Sequence, residues 1–273
     1  MLVTEFVTDV VEAPERFALW EEVTAQSHMR NLMRSNNQNN FRAKMRNLDL
    51  GEAQVSSLAF PHLEIVRTAK LVRRSDPEVY LINYILGGKG GVSLGGRDTV
   101  LQPGDLMMLD SSRLYHAHRY AHQDNWSQLT VQCPRRLLPL PEKTVQRLLA
   151  IPISGRSGMG GVFARWLTDL NARADEFTPA DIPTLTSVTL DLLASVIARC
   201  LEAEESLTPG PQDRSTGPDQ RIRRAAARQP GHDSPDDCRR PPHLPAPSSV
   251  AARRERHFAG CLDTPPPSGT LPP

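Results

Sequence analysis

His116, His118 and His122 fall within seven residues, in the run Tyr115-His-Ala-His-Arg-Tyr-Ala-His122. On a strand, residues i and i+2 share a face, so His116 and His118 would offer two imidazoles to one metal ion, with His122 nearby as a third. The plainer reading of the run is a polar loop or hairpin end, and no cofactor is expected. Asp105, behind Pro103-Gly104, has the place of a turn carboxylate that accepts backbone N–H bonds rather than that of a catalytic acid. Ser111-Ser112 stands in no GxSxG elbow, and the glycines come in pairs without a GxGxxG or GxxxxGK[ST] phosphate loop. Lys70-Leu-Val-Arg-Arg74 is not a contiguous basic cluster, and it stands beside Asp76 and Glu78. None of this supports an enzyme.

The elements that must position these residues follow from periodicity. Phe17, Trp20 and Val23 recur every three residues behind Pro14, which suits a first helical turn, so residues 13–28 read as a helix. Arg34-Ser-Asn-Asn-Gln-Asn-Asn40 reads as a loop. From Phe41 to Cys133, short apolar runs are broken by Gly, Pro and Asp, as in an antiparallel sheet or barrel. About seven strands are expected there, near 41–49, 53–60, 63–68, 79–87, 90–94, 98–101 with 105–109, and 127–133. Gly87 to Gly91 reads as a tight hairpin, Gly95-Gly96-Arg97 and Gln102 to Asp105 as further turns, and Asp76-Pro77 as the start of a strand. Beyond Pro134 the period becomes helical: Val162, Phe163, Trp166, Leu167 and Leu170 form one stripe. Leu185, Val188, Leu192, Val196 and Cys200 form a second, with Asp181 as N-cap and Thr189, Leu193 and Ile197 widening it. A stripe that broad meets either the barrel or a second subunit.

Composition divides the chain. Lys+Arg total 32 against 31 Asp+Glu, so no net charge holds the whole molecule to nucleic acid or membrane. Residues 209–273 carry 10 Arg, 7 acidic residues, 14 of the 24 Pro and only six large apolar side chains. Too little apolar surface is available there to offset backbone ordering at about 1 to 2 kcal/mol per residue, so a disordered Pro/Arg-rich segment is expected over 206–273. No run approaches about 18 consecutive apolar residues and the N-terminus lacks a signal-peptide pattern, so a cytoplasmic location is expected. Cys133, Cys200, Cys238 and Cys261 lie far apart with no CxxC, which favours free thiols.

Arg67-Thr-Ala-Lys-Leu-Val-Arg-Arg-Ser-Asp-Pro-Glu-Val-Tyr80, followed by Gly90 to Arg113 with its Pro-Gly-Asp-Leu block, resembles the N-terminal effector-binding domain of AraC-type transcription regulators. Glu15 to Val23 and Pro152 to Gly160 share the resemblance, which covers about residues 5–205. It implies a mixed β/α fold: a cupin-like antiparallel β barrel without catalytic metal over 41–134, and helices over 140–204 that dimerise. Metal-dependent cupin enzymes are the alternative resemblance, resting on His116, His118 and His122. A cupin site also wants a carboxylate just after its His pair, whereas here the first is Asp124.

The family further implies a C-terminal pair of DNA-binding helix-turn-helix units. The 14 prolines of 209–273 would break every candidate helix, so specific DNA binding is not expected of the chain as written. A one-base shift of the reading frame, with codons suited to a GC-rich gene, turns Arg239–Leu244 and Ala259–Pro273 into strings that resemble the family's second helix-turn-helix. The expected function is thus a ligand-sensing regulatory domain without a recognisable DNA-binding unit, taking an unknown small effector and pairing as a homodimer through helix 183–204. Effector pockets are mostly apolar with a few orienting polar groups, and the candidates are Tyr80, Tyr84 and Trp126. Tyr80, Ile82 and Tyr84 share one strand face while Leu81, Asn83 and Ile85 share the other, and either face would serve to line the barrel.

Overall fold

Short apolar runs punctuated by turn residues fold here into two facing antiparallel sheets. The computed structural model describes residues 2–120, 125–138 and 141–207; of the segment 206–273 expected to be disordered, residues 206–207 belong to the last helix, and 208–273, with the frameshift remnant, and His122 lie outside the described residues. In chain order the elements are β1 (Val3–Val7), α1 (Arg16–Ser27), β2 (Leu32–Arg34), β3 (Lys44–Leu50), β4 (Ala53–Phe60) and β5 (Leu63–Arg67). Then come α2 (Ala69–Arg74), β6 (Val79–Gly87), β7 (Lys89–Leu94), β8 (Arg97–Leu101), β9 (Asp105–Asp110), β10 (Tyr115–Tyr120) and β11 (Trp126–Pro134). The last are α3 (Glu142–Gln146), β12 (Ile153–Ser154), α4 (Gly158–Ala172) and α5 (Ile182–Leu207).

One sheet has the order β1-β3-β4-β11-β6-β9-β12, the other β2-β5-β10-β7-β8. From β4 to β11 the chain passes repeatedly between the two, the habit of a jelly-roll, cupin-like barrel. Because strands alternate, the larger sheet has two buried faces. Leu58, Leu81, Leu109 and Trp126 point into the barrel, where they meet Trp20 of α1. Val55, Ile82, Met108 and Val131 point outward under α4 and α5.

Several expectations need correction. The barrel recruits β1 and β2 ahead of residue 41 and β12 beyond 134, and the His-rich run is not a loop but the central strand of the smaller sheet. Gly87 to Gly91 does not close a hairpin, since β6 and β7 lie in different sheets. It turns a corner that only glycine permits: Gly88 has φ +89°, and a Cβ on Gly90 would stand 2.5 Å from the carbonyl oxygen of His118. Gly95-Gly96 does form the two-residue hairpin expected, joining β7 to β8 with φ +59° and +79°. A 3-10 turn over Pro179–Asp181, with Thr178 as its N-cap and Asp181 in a capping box with it, leads directly into α5.

The stretch Pro179–Ala203, which takes in most of α5, is apolar (mean hydropathy 1.5) and long enough to cross a membrane by length and composition. In this fold its Leu185, Leu193, Val196, Ile197 and Leu201 are buried against the barrel and α4. Thr189 ties the two helices, accepting from Trp166 Nε1 at 3.0 Å while donating to Leu185 O at 2.6 Å.

Candidate functional site

Between the sheets, closed on one side by α1, lies a cavity of about 90 Å³. Its walls are mostly apolar, with Leu58, Phe60, Leu63, Leu81 and Leu109 among them. Polar groups enter from three sides.

From the larger sheet come Asn83, Gln128 and Thr130, brought together because Thr130 pairs with Asn83 in the register of β6 and β11 and Gln128 lies two residues along the same face. Gln128 Nε2 donates to Asn83 Oδ1 (2.9 Å) and Thr130 Oγ1 (2.8 Å), and Thr130 Oγ1 donates to Asn83 Oδ1 (2.9 Å). Trp126 Nε1 completes the set by donating to Gln128 Oε1 at 2.8 Å.

From the smaller sheet come Tyr115 and Arg119, the inward residues of β10. Arg119 is 3% exposed. Its Nη1 donates to Gly91 O at 2.9 Å and to His118 O at 3.2 Å, and its guanidinium lies 4.8 Å from the Trp126 ring centre. Its Nε is buried without a partner. Burial lowers this arginine to about 10, so it remains charged at neutral pH. Burial pushes the Tyr115 phenol up to about 12 against the pull of Arg67 and Arg119, which leaves it a neutral hydroxyl.

α1 and the turn after it supply Trp20, Thr24, His28 and Asn31. Ser27 Oγ donates to Val23 O at 2.8 Å and lies 2.9 Å from His28 Nδ1, which fixes the ring with its Nε2 on the other side. Trp20 Nε1, His28 Nε2 and Asn31 Oδ1 are, like Arg119 Nε, buried without a hydrogen-bond partner. Of the buried side-chain atoms that lack both a hydrogen bond and an ion pair among the described residues, these four belong to residues lining this one cavity. Orphaned buried polar groups are costly, so their concentration in one chamber marks a place built to receive polar atoms from outside the chain.

The candidates read from the sequence are distributed otherwise. Tyr80 is buried with the helix-side core and Tyr84 packs beside Gly155, so both face away from the cavity. Trp126 points inward but reaches the chamber through Gln128. His116 and His118 share a face as β10 requires, with ring centres 6.3 Å apart, but it is the outer face of the barrel. There the His118 ring lies tilted against Tyr120, with centroids 5.1 Å apart, and no group of three His, Cys, Asp or Glu suited to a metal occurs among the described residues. Sequence reasoning missed Arg119, His28 and the Asn83–Gln128–Thr130 set. The signal for Arg119 was the His spacing itself: if His116 and His118 face outward, Tyr115, Ala117 and Arg119 face inward.

Residues 20–198 match the AraC-binding-like domain. The chain is similar to the transcriptional activator NphR of a Rhodococcus species, with 27% identity over 165 residues, 60% of this chain and 48% of NphR. It therefore spans about half the length of that relative. It is also similar to an uncharacterized protein in the nit 5' region of Bacillus sp. (strain OxB-1), with 25% identity over 194 residues, 70% of this chain and 73% of that one. Among solved structures, the AraC-like transcriptional activator CuxR shares the fold at 14% identity, with a TM-score of 0.64 over 78% of this chain and 73% of that chain.

Proposed function

Because this chain belongs to the AraC-binding-like domain family, as the ligand-sensing regulatory part of an AraC-type regulator, we propose that it takes a small effector into the cavity between its two sheets. The observation that carries this reading is the gathering of four orphaned buried polar atoms around one apolar chamber. The chain is a sensor rather than a catalyst, acting in the cytoplasm on transcription.

Occupancy has a short route outward. Asn83 faces the cavity while its neighbours Ile82 and Tyr84 contact the layer under α4 and α5, so a shift at Asn83 moves the floor of the helices. α5 carries Val188 and Leu192 only partly covered by its own barrel, and a homodimer would join through that flank. Specific recognition of an operator is not a property of the chain as written, for the reasons its prolines give.

The test is occupancy. A panel of fluorinated fragments is screened by ¹⁹F NMR against the protein and against Ala117→Phe, which fills the chamber from β10. Fragments that bind the first and not the second support the reading; fragments that bind both equally place the site elsewhere.

A further inference from the structure

We infer that the effector is a small carboxylic acid with an apolar body, its carboxylate held by Arg119 in the chamber between the sheets. The inference rests on reading that chamber as the effector site and goes on to name the ligand's chemistry.

Two buried arginines make the comparison. Arg67, 1% exposed, is spent on the fold: Nε donates to Ser111 O at 3.0 Å, Nη1 to Arg30 O at 2.7 Å and Nη2 to Ser75 O at 2.8 Å. Arg119 is as deeply placed, yet only Nη1 is engaged, and both of its acceptors are neutral carbonyls. Among the described residues no carboxylate forms an ion pair with it. Tyr115 supplies no counter-charge, because burial keeps it a phenol, and His28 is held neutral by its own burial. A buried cation whose Nε faces no acceptor is completed by an anion from outside, and a guanidinium fork suits the two oxygens of a carboxylate.

The walls narrow the class. One cation stands among leucines, a phenylalanine and an isoleucine, so a monoanion with an apolar body fits better than a phosphate dianion. The chamber's volume of about 90 Å³ favours a small acid over a long-chain or polycyclic one. Asn83, whose amide oxygen accepts from Gln128 and Thr130, lines the same space.

The test compares isobutyrate with isobutyramide, and benzoate with benzamide, by titration calorimetry on the full chain at neutral pH. Each amide keeps the shape and loses the charge. In the unaltered protein the acid should bind at least about tenfold more tightly than its amide, the discrimination a charged hydrogen bond gives. Arg119→Met should bring the acid down to the amide's affinity, and Arg119→Lys should restore part of the difference. Amides that bind as well as acids would overturn the carboxylate assignment and leave the chamber as the effector site. Failure of acids and amides alike, or acid binding that survives Ala117→Phe, would overturn both readings. The acid-to-amide ratio in the unaltered protein decides the question even if the arginine variants fold poorly.

Discussion

Burial drives the His28 imidazole down to about 4, and its Nε2 has no partner in the protein. The native state therefore refuses a proton that the unfolded chain accepts near 6.5. Between those two values the unfolded state binds more protons, so stability should fall as pH drops from about 6.5 to about 4 and level off below that. The full effect of this one group is roughly 3 kcal/mol, and urea unfolding at a series of pH values should lose that part of its slope in His28→Leu. An unchanged slope would mean that His28 titrates in the folded protein. The two buried arginines should part company in the same assay. Arg67→Met orphans three backbone carbonyls and should cost roughly 3 kcal/mol or more, whereas Arg119→Met removes an uncompensated buried charge and should be neutral or stabilising. Equal losses from both would make Arg119 a structural residue and weaken its case as a ligand contact.

At the scale of elements, glycine positions show where space outweighs propensity. Gly160 is the third residue of α4, in its first turn, and a Cβ there would lie 2.1 Å from Ser154 O, a backbone atom of β12 that cannot step aside. An alanine in a helix ordinarily gains up to about 1 kcal/mol over glycine. Gly160→Ala should instead destabilise by roughly 1 to 3 kcal/mol, because α4 must lift from the strand that seats it; a higher melting temperature would refute that contact. Such constraints mark the limit of what periodicity conveys. α1, α4 and α5 were legible because Trp20, Phe163 and Leu193 recur at helical spacing on faces that prove to be buried. Strands β4, β6 and β11 were legible as apolar runs but not in their facing, since both sides of the larger sheet are covered, and so Tyr80 and Tyr84 were as plausible inside the barrel as Leu81 and Asn83. β10 was hidden because its inward set is Tyr, Ala and Arg and its outward set His, His and Tyr, which breaks the usual apolar–polar alternation. The corner at Gly88 was mistaken for a hairpin because a positive φ is needed in both, and nothing local says whether the next strand stays in the same sheet.

For the whole molecule, the question is what a sensor can report to when residues 209–273 read as they do. The described fold ends in α5, whose buried stripe is occupied by its own barrel, so the partly covered Val188–Leu192 flank is what remains for a second copy. Val188→Asp should lower the association constant seen in sedimentation without changing the chain's own fold, and a dimer indifferent to it would move the contact elsewhere. Beyond α5, residues 209–273 offer ten arginines among fourteen prolines. Arginines alone hold phosphates, and such binding weakens steeply with salt and ignores base sequence; a helix-turn-helix reads an operator with a helix in the major groove, a pattern that the sequence of this segment does not carry. The chain as written should therefore hold no sequence-specific complex at 200 mM salt. A version whose segment after residue 206 is read one base out of frame should retain a sequence-specific complex at the same salt. Mobility shifts on promoter fragments, run for both proteins at several salt concentrations, check this. If the chain as written holds one sequence at 200 mM, recognition resides in residues read here as barrel or as Pro/Arg-rich segment, and the frame-shift reading falls with it.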